Sequence, residues 1–496
     1  MANNKSEKRY WYKEGVWYEL YINLFSDSNN DGIGDIKGVI EKIPYFENLG
    51  ISCIWILPPY PSTLKDYGYD VTDYKSIRKK LGNINDFKLL CQKLHDKNIK
   101  VILDLPINHT SYKHPWFIKS KNKESIYKDY YIWNKDVNKY TEAPIIFSDY
   151  EKSNWEYSKT RQEFYFHRFY KYQPDLNWEN KNVLNEFIDI ISFWAKLGVD
   201  GIRIDAAPYL IKKENTSCED LKETHNTIKI LKKEVNKIHP NIIFITEANE
   251  KIGKIKKYLN EVEMSFNFHL MQRTLLCVKT GNPKYITRNL ERYRLKNDKS
   301  QFASFLRNHD EMTLSNLGSK LYNVYIKNFD KDKKYIFNGG ISKRLIDLLS
   351  SDDKVLISFS ILLSLSGTPI IYMGDERGMH DNEMIRKKKG YDKRDIIRDS
   401  INWEKYNKKI LKNLISIIKI RKKYEEKISY IYPQPHFIND NLLSYRKDNL
   451  LFIHNIKNRE IEVKKDFSII FGYNIKELEK DKISLHPNSF LWAKLP

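Results

Sequence analysis

The chain has 496 residues, of which 41% are hydrophobic and 14% aromatic. This excludes a largely disordered chain and suffices for one large domain with appendages. A formal charge of +21 raises the question of nucleic acid, but the lysines are spread out, with only short runs such as IRKKKG and DKDKK. A solvated basic surface is expected, without a nucleic-acid groove. Cys53, Cys91, Cys218 and Cys277 are scattered and form no CxxC or Cys/His cluster, which argues against structural zinc and a disulfide framework. The opening MANNKSEKRYWYKEG has no apolar signal core, and no run of about 18 apolar residues occurs. The expectation is a cytoplasmic, soluble protein without membrane association, and a homo-oligomer is compatible with it.

In chain order, WYELYINLF (Trp17–Phe25) reads as a strand. DSNNDGIGD (Asp27–Asp35) then places side-chain oxygens at positions 1, 3, 5 and 9 of a loop, with Gly32 at the sixth. That start matches an EF-hand, but position twelve is Gly38, where a bidentate Glu is needed, and no helix enters the loop. GVIEKIPYFENLG follows with Val39, Ile40, Ile43, Phe46 and Leu49 on one helical face. The unit is therefore a strand, an ion-binding turn and a helix.

Seven more apolar runs follow the first: ISCIWILP, VILDLPIN, GVDGIRID, IIFITEA, MSFNFHL, FASFLRN and TPIIYMGD. Helical stretches lie between them. In Leu184–Leu197 the pattern turns Phe187, Ile188, Ile191 and Trp194 inward; in Leu221–Ile238 it turns Ile228, Leu231, Val235 and Ile238 inward. Eight strand–helix units predict a closed parallel (β/α)8 TIM barrel, with a doubly wound sheet as the other arrangement of such units. Residues 110–175, dense in aromatics, are too long for a βα loop and predict an inserted domain over the barrel mouth. From about 430 the pattern changes to strand alternation, as in LLSYRKDNLLFIHNI. The expected division is barrel 1–109, inserted domain 110–175, barrel 176–427 and an antiparallel β domain 428–496.

Polar residues collect at the C-terminal ends of the runs: Asp104, Asn108 and His109; Arg203 and Asp205; Glu247; His309 and Asp310. One such residue reads as a helix cap. Charges at four strand ends that converge on one mouth read as a shared active site. Retaining glycoside chemistry needs a carboxylate nucleophile and a protonated carboxyl about 5–5.5 Å apart, which neighbouring runs four and five can supply as Asp205 and Glu247. Arg203, two residues before Asp205, points to the same side of its strand and is expected to keep the nucleophile ionised. Glu247, behind the apolar IIFIT, is expected to stay protonated through partial burial. A metal hydrolase would need a denser ligand cluster than His109 and His309 provide.

DLPINH, GVDGIRID, TEAN and FLRNHD resemble, in order, the four motif regions of the α-amylase family of glycoside hydrolases, and QPDLNW (Gln173–Trp178) resembles its fifth. The likeness covers about residues 15–425. It implies Asp205 as nucleophile, Glu247 as acid/base and Asp310 as transition-state stabiliser, with Arg203, His109 and His309 as sugar-binding partners. It also implies one structural Ca2+ held by Asp27, Asn29, Asp31 and Asp35 and by the Ile33 carbonyl; no organic cofactor is implied. KDYGYD resembles the segment that places Tyr69 under a glucose ring and Asp66 on its far hydroxyls. IRDSINW aligns Arg398 with the arginine that pairs with that Asp and closes the pocket beyond one glucose.

Within the family, IIFSDYEKSNWEYSKTRQEFYFHRFYKYQPDLNW, DAAPYLIKKENTSCEDLKETH and Glu311 directly after NHD resemble the branch that interconverts maltose and trehalose. The sequence departs from that branch at NEKIGKI after Glu247, at IRDSIN before Trp403 and in a short C-terminal domain. The implied activity on a small disaccharide is maltose–trehalose isomerisation through a glycosyl-enzyme, with exo-acting α-glucosidase as the alternative. A catalytically dead scaffold is opposed by the intact Asp205, Glu247 and Asp310.

Overall fold

The computed structural model describes residues 9–385, 392–479 and 481–496; most of the IRKKKG run lies outside them. The eight apolar runs form eight strands: β1 Trp17–Leu20, β2 Cys53–Ile56, β3 Lys100–Pro106, β4 Gly201–Asp205, β5 Ile243–Thr246, β6 Met264–Phe266, β7 Gln301–Phe305 and β8 Thr368–Tyr372. They close into a barrel in sequential order, and every pairing is parallel. The ring is sealed where Trp17 pairs with Cys53 on one side and Ile370 on the other. Strands buried on both faces need no alternation, which is why the runs read as continuously apolar.

The first run is shorter than its composition predicts. Only Trp17–Leu20 is strand, and Ile22–Phe25 is a helical turn that carries the chain toward the Asp27–Asp35 loop. Asp35 ends that loop as an N-cap, accepting the Gly38 N–H at 2.7 Å. The following face is borne by two short helices, Ile36–Glu41 and Ile43–Leu49, divided at Lys42 before Pro44. Helix Lys181–Lys196 buries Val183, Phe187, Ile190, Ile191 and Trp194, with Ile188 only half-buried. Helix Lys222–Ile238 buries Ile228, Leu231 and Val235, but Ile238 in its last turn is 55% exposed because the helix has by then passed beyond the barrel wall.

Between β3 and β4 the inserted segment contains a three-stranded antiparallel sheet, Trp133–Asn134, Glu163–Phe166 and Trp155–Ser158. Lys212 ties this segment to the barrel. Its buried ammonium contacts Asp175 Oδ2 at 2.6 Å, Asn108 Oδ1 at 3.0 Å and the Tyr209 carbonyl at 2.6 Å. A long excursion between β7 and β8, not anticipated from the sequence, carries the hairpin Ile336–Phe337/Gly340–Ile341. From Gln434 onward, an antiparallel sheet packs on helix Asp352–Ser364 through Trp492 Nε1 to Ser360 Oγ at 2.9 Å. All four cysteines are buried and free. Among the described residues, no helix is long and apolar enough to cross a membrane.

Candidate active site

Strand register assembles the first half of the site. Asp104 on β3 lies opposite Arg203 on β4, and Arg203 lies opposite Ile245 on β5. Glu247 follows two residues later, its N–H bound to the Ile204 carbonyl at 3.0 Å. Arg203 Nη1 reaches Asp104 Oδ1 at 2.9 Å and Asp205 Oδ1 at 2.5 Å, while Nη2 reaches Glu247 Oε2 at 3.0 Å. One buried guanidinium therefore serves three carboxylates, where the sequence pattern assigns it to Asp205 alone. After Asp205 the backbone turns left-handed at Ala206 (φ 52°), and the Ala206 N–H donates to Glu247 Oε2 at 3.1 Å. This strained turn binds the ends of β4 and β5 to each other.

Burial pushes the Asp104 carboxyl up to about 6 against the pull of Arg203. Burial likewise raises Asp205, reinforced by Glu247, Asp104 and Asp310 and opposed by Arg203. Sharing the guanidinium thus weakens its hold on Asp104 and Asp205, whose protons are linked to each other. Asp205 keeps the shortest contact to the cation.

Asp310 sits in the opposite field. Arg398 Nη2 donates to its Oδ1 at 2.6 Å, Arg394 Nη1 lies 3.3 Å from the same oxygen, and His309 Nε2 lies 3.3 Å from Oδ2. Burial alone would raise this carboxyl, but His309, Arg398 and Arg394 outweigh it and hold Asp310 well below the usual range. Next to it, burial and the Asp310 charge push Glu311 up to about 7.

The pairing expected at the far end is corrected here. Asp66 does not meet Arg398; its Oδ1 accepts Arg394 Nη2 at 3.0 Å, and its Oδ2 accepts Gln173 Nε2 at 2.9 Å. Across the short helical turn Asp395–Ile397 both flanking arginines reach Asp310, and Arg394 also reaches Asp66. Arg398 packs its guanidinium 4.4 Å from the Tyr67 ring centre and binds the His309 carbonyl at 2.8 Å as well as Asp310. Gln173 Nε2 also lies 3.2 Å from His109 Nε2, which joins His109 to the Asp66 network. Tyr69 presents its hydroxyl to His309 Nε2 at 2.7 Å and to Asp104 Oδ2 at 3.0 Å.

These groups line a cavity of about 390 Å3, with Asp205, Glu247, Asp310, Asp66, Tyr69, His109, Glu311 and Arg394 on its walls. Ile146, Phe147 and Phe169 of the inserted segment form an apolar roof on it. Behind them Phe147 stacks on Tyr170 at 4.5 Å and meets Phe337 of the β7–β8 excursion. The sequence pattern marks Asp104 only as a strand-end carboxylate and gives no role to Arg394; RDIIRD, with two arginines four apart, is the signal that either one can be the partner of Asp66.

The Asp27–Asp35 loop lies apart from this cavity. Asp27 carboxylate oxygens accept the N–H groups of Asn29, Asn30 and Gly32, Asn29 Oδ1 accepts that of Asp31, and Asp31 Oδ1 accepts that of Ile33. The donor set is all oxygen, which fits a hard cation. Two features oppose a dense cage: Lys80 Nζ lies 3.0 Å from Asp31 Oδ2, and Asp35 is occupied by Ser28 and the Gly38 N–H. Among the described residues, no group of three or more His, Cys, Asp or Glu side chains is arranged to hold a metal ion.

The fold and site together define a (β/α)8 enzyme barrel with a carboxylate cluster at its mouth. The model of the alpha-amylase catalytic domain matches residues 19–432, and the chain belongs to the α-amylase family. It is 40% identical over 380 residues to the trehalose synthase/amylase TreS of Mycobacterium tuberculosis, a match covering 75% of this chain and 63% of that protein. The chain thus spans less than two thirds of the length of that relative. It is 32% identical to alpha-amylase 3 of Dictyoglomus thermophilum, covering 98% of this chain and 94% of the relative. Among solved structures, the α-amylase from H. orenii superposes with a TM-score of 0.80 at 26% identity, covering 98% of this chain and all of the other.

Removing the shared cation tests the electrostatic arrangement. Arg203→Met leaves Asp104, Asp205 and Glu247 facing one another, an uncompensated burial costing about 3–5 kcal/mol. A carboxyl whose pKa is raised by folding stabilises the fold below its unfolded value of about 4 and loses that contribution as pH rises through its folded value. The melting temperature of Arg203→Met should therefore lie nearest wild type at about pH 5 and fall progressively further behind above about pH 6. A deficit independent of pH would show that Arg203 is not their counter-charge.

Proposed function

We propose that this chain is a retaining enzyme acting on small α-glucosides, and that its main reaction interconverts maltose and trehalose. The observation that supports this most is Asp205 and Glu247 on one guanidinium at the end of adjacent strands, facing a roofed cavity. Asp205, with the shortest guanidinium contact, is the ionised nucleophile. Glu247, whose side chain is more open to the cavity than that of Asp205, carries the proton to the glycosidic oxygen. Asp205 attacks the anomeric carbon as that oxygen leaves protonated, giving a glycosyl ester and free glucose. Glu247, now a carboxylate, removes a proton from the retained glucose's anomeric hydroxyl, which displaces Asp205 to form the α,α-1,1 bond. Asp310, held ionised, supports the positive charge that develops on the sugar ring. Asp66, Arg394 and Gln173 close the pocket around the terminal glucose, with Tyr69 and His109 along it. Arg398 acts through Asp310 and the His309 carbonyl. The apolar roof limits water, the competing acceptor.

A second reading, an α-glucosidase that hydrolyses maltose, is favoured by the NEKIGKI and IRDSIN departures near the acceptor side and by the near full-length relative that is named an α-amylase. Product analysis separates the two. Maltose should yield mainly trehalose with minor glucose, and trehalose alone should yield maltose. Glucose dominant from the first time point, with trehalose inert, establishes the hydrolase instead. Asp205→Asn should abolish turnover with the fold intact. Glu247→Gln should fail on maltose yet keep activity on an aryl glucoside whose leaving group needs little acid help; equal loss on both would remove Glu247 from the acid role.

The terminal pocket has its own test. Asp66→Ala takes one carboxylate from Arg394, which keeps Asp392 and Asp310, and Arg394→Ala leaves Asp66 with Gln173. Each should lower kcat/KM on maltose at least about tenfold, with the double variant little worse than either single one. Additive losses would mean that the two do not act as a pair.

We also propose that the Asp27–Asp35 loop binds one structural Ca2+ through Asp27, Asn29, Asp31, Asp35 and the Ile33 carbonyl. The all-oxygen donor set supports this reading, and Lys80 on Asp31 weakens it. Chelation should lower the melting temperature by mass action, and Asp31→Ala should lower it and remove the chelator's effect. Calorimetric melts unchanged by both treatments would identify a metal-free turn.

A further inference from the structure

We propose that Glu19 is a positioning residue that fixes the proton of His309, so that Nε2–H faces Asp310 and the Tyr69 oxygen. The link to turnover rests on the glucosyl-transfer reading above; the protonation claim does not.

Glu19 is the charged residue in the otherwise uncharged strand Trp17–Leu20, and it is fully buried. It reaches past β8 to a residue 290 positions away at the end of β7. Its Oε1 accepts the His309 backbone N–H at 3.2 Å and lies 2.5 Å from His309 Nδ1. Its Oε2 meets no hydrogen-bond partner among the described residues. The carboxyl is thus committed to one imidazole.

The far side of the ring decides where the hydrogens sit. His309 Nε2 is 2.7 Å from the Tyr69 hydroxyl and 3.3 Å from Asp310 Oδ2. The Tyr69 hydroxyl has one proton and a second neighbour, Asp104 Oδ2, at 3.0 Å. Asp104 already accepts from Arg203 and from Trp55 Nε1, and as a carboxylate it can only accept. Tyr69 therefore donates to Asp104, and its oxygen is left to accept from His309 Nε2–H. Asp310, flanked by Arg394 and Arg398, makes the same demand. Tyr21 and Trp55, both edge-on to the ring, and Arg398 on the His309 carbonyl offer no competing proton acceptor to Nε2.

With a hydrogen on Nε2, the short Nδ1–Oε1 contact must hold a proton as well. That proton lies either on the imidazole, giving an ion pair, or on Glu19, giving a neutral acid and a neutral ring. The two forms contain the same number of protons and present the same outward N–H. A Gln at position 19 keeps the size, and accepting the His309 backbone N–H turns its amide oxygen to Nδ1, so that Nδ1 must carry the hydrogen between them. The neutral ring then places its one hydrogen on Nδ1 and turns a lone pair toward Tyr69 and Asp310.

Nitrogen-15 NMR of histidine-labelled protein, with His309→Gln for assignment, reads this directly. Wild type should show a protonated Nε2 at His309 and a far-downfield proton at Nδ1. Glu19→Gln should lose the downfield proton and show a bare Nε2, with kcat on an aryl α-glucoside lowered at least about 30-fold and KM little changed. A His309 spectrum unchanged by Glu19→Gln overturns the proposal whatever the rate, because a merely structural loss would leave it so. A changed spectrum with wild-type kcat overturns Glu19 as a positioning residue for turnover. If Glu19→Gln does not fold, the wild-type spectrum decides alone, and a bare Nε2 there overturns the proposal. If wild type turns over no α-glucoside, the functional reading fails while the spectrum still tests the proton on His309.

Discussion

The buried guanidinium of Arg203 is the constraint on which the mouth of this barrel depends. A fully buried cation is tolerated only where anions surround it, and here Asp104, Asp205 and Glu247 come from three consecutive strands. Their meeting is a consequence of register: a slip of one residue on β4 would turn Arg203 into the barrel wall and carry Asp205 away from Glu247. The apolar strands set that register, and the left-handed turn at Ala206 locks its end by giving a backbone N–H to Glu247. Stability and chemistry are therefore not separable in this part of the fold.

The additions to the barrel act on the same cavity from above. Lys212 anchors the inserted segment beneath its aromatic roof through Asp175 and Asn108, so that a single ammonium links the end of β3, the segment that returns from the insertion and the loop after β4. The excursion after β7 contributes Phe337 from the other side. Neither element supplies a nucleophile. Their contribution is apolar surface at the edge of the cavity, from Ile146, Phe147 and Phe169 of the insertion with Phe337 packed behind Phe147.

Much of this was legible in the sequence. The eight apolar runs predict eight strands, and polar residues at their ends predict the mouth, because both signals are local: burial on two faces, and position within a run. The limits appear where long-range pairing decides. WYELYINLF reads as one strand by composition, yet it breaks after Leu20 to leave room for the turn into the Asp27–Asp35 loop. Asp66 finds Arg394 where alignment of the motif points to Arg398, since two arginines flanking one helical turn differ only in direction. Glu19 is visible in the sequence as a charge inside a buried strand, an observation that demands a partner, but only the closed barrel shows that the partner is His309.

The final consequence is a division of the carboxylates into two electrostatic classes within one cavity. His309, Arg398 and Arg394 hold Asp310 ionised, and Arg394 also pairs with Asp66. On the Arg203 side one cation is divided among three carboxyls, and Asp104 and Asp205 bind protons more tightly than isolated side chains do. Glu311, where burial and the Asp310 charge outweigh Arg394, falls with the second class. A cluster of carboxyls at the mouth can hold both an ionised and a protonated member only where neighbouring charges set them apart. The distribution of three arginines among these carboxylates, more than the presence of any one acid, is what makes that combination available at this mouth.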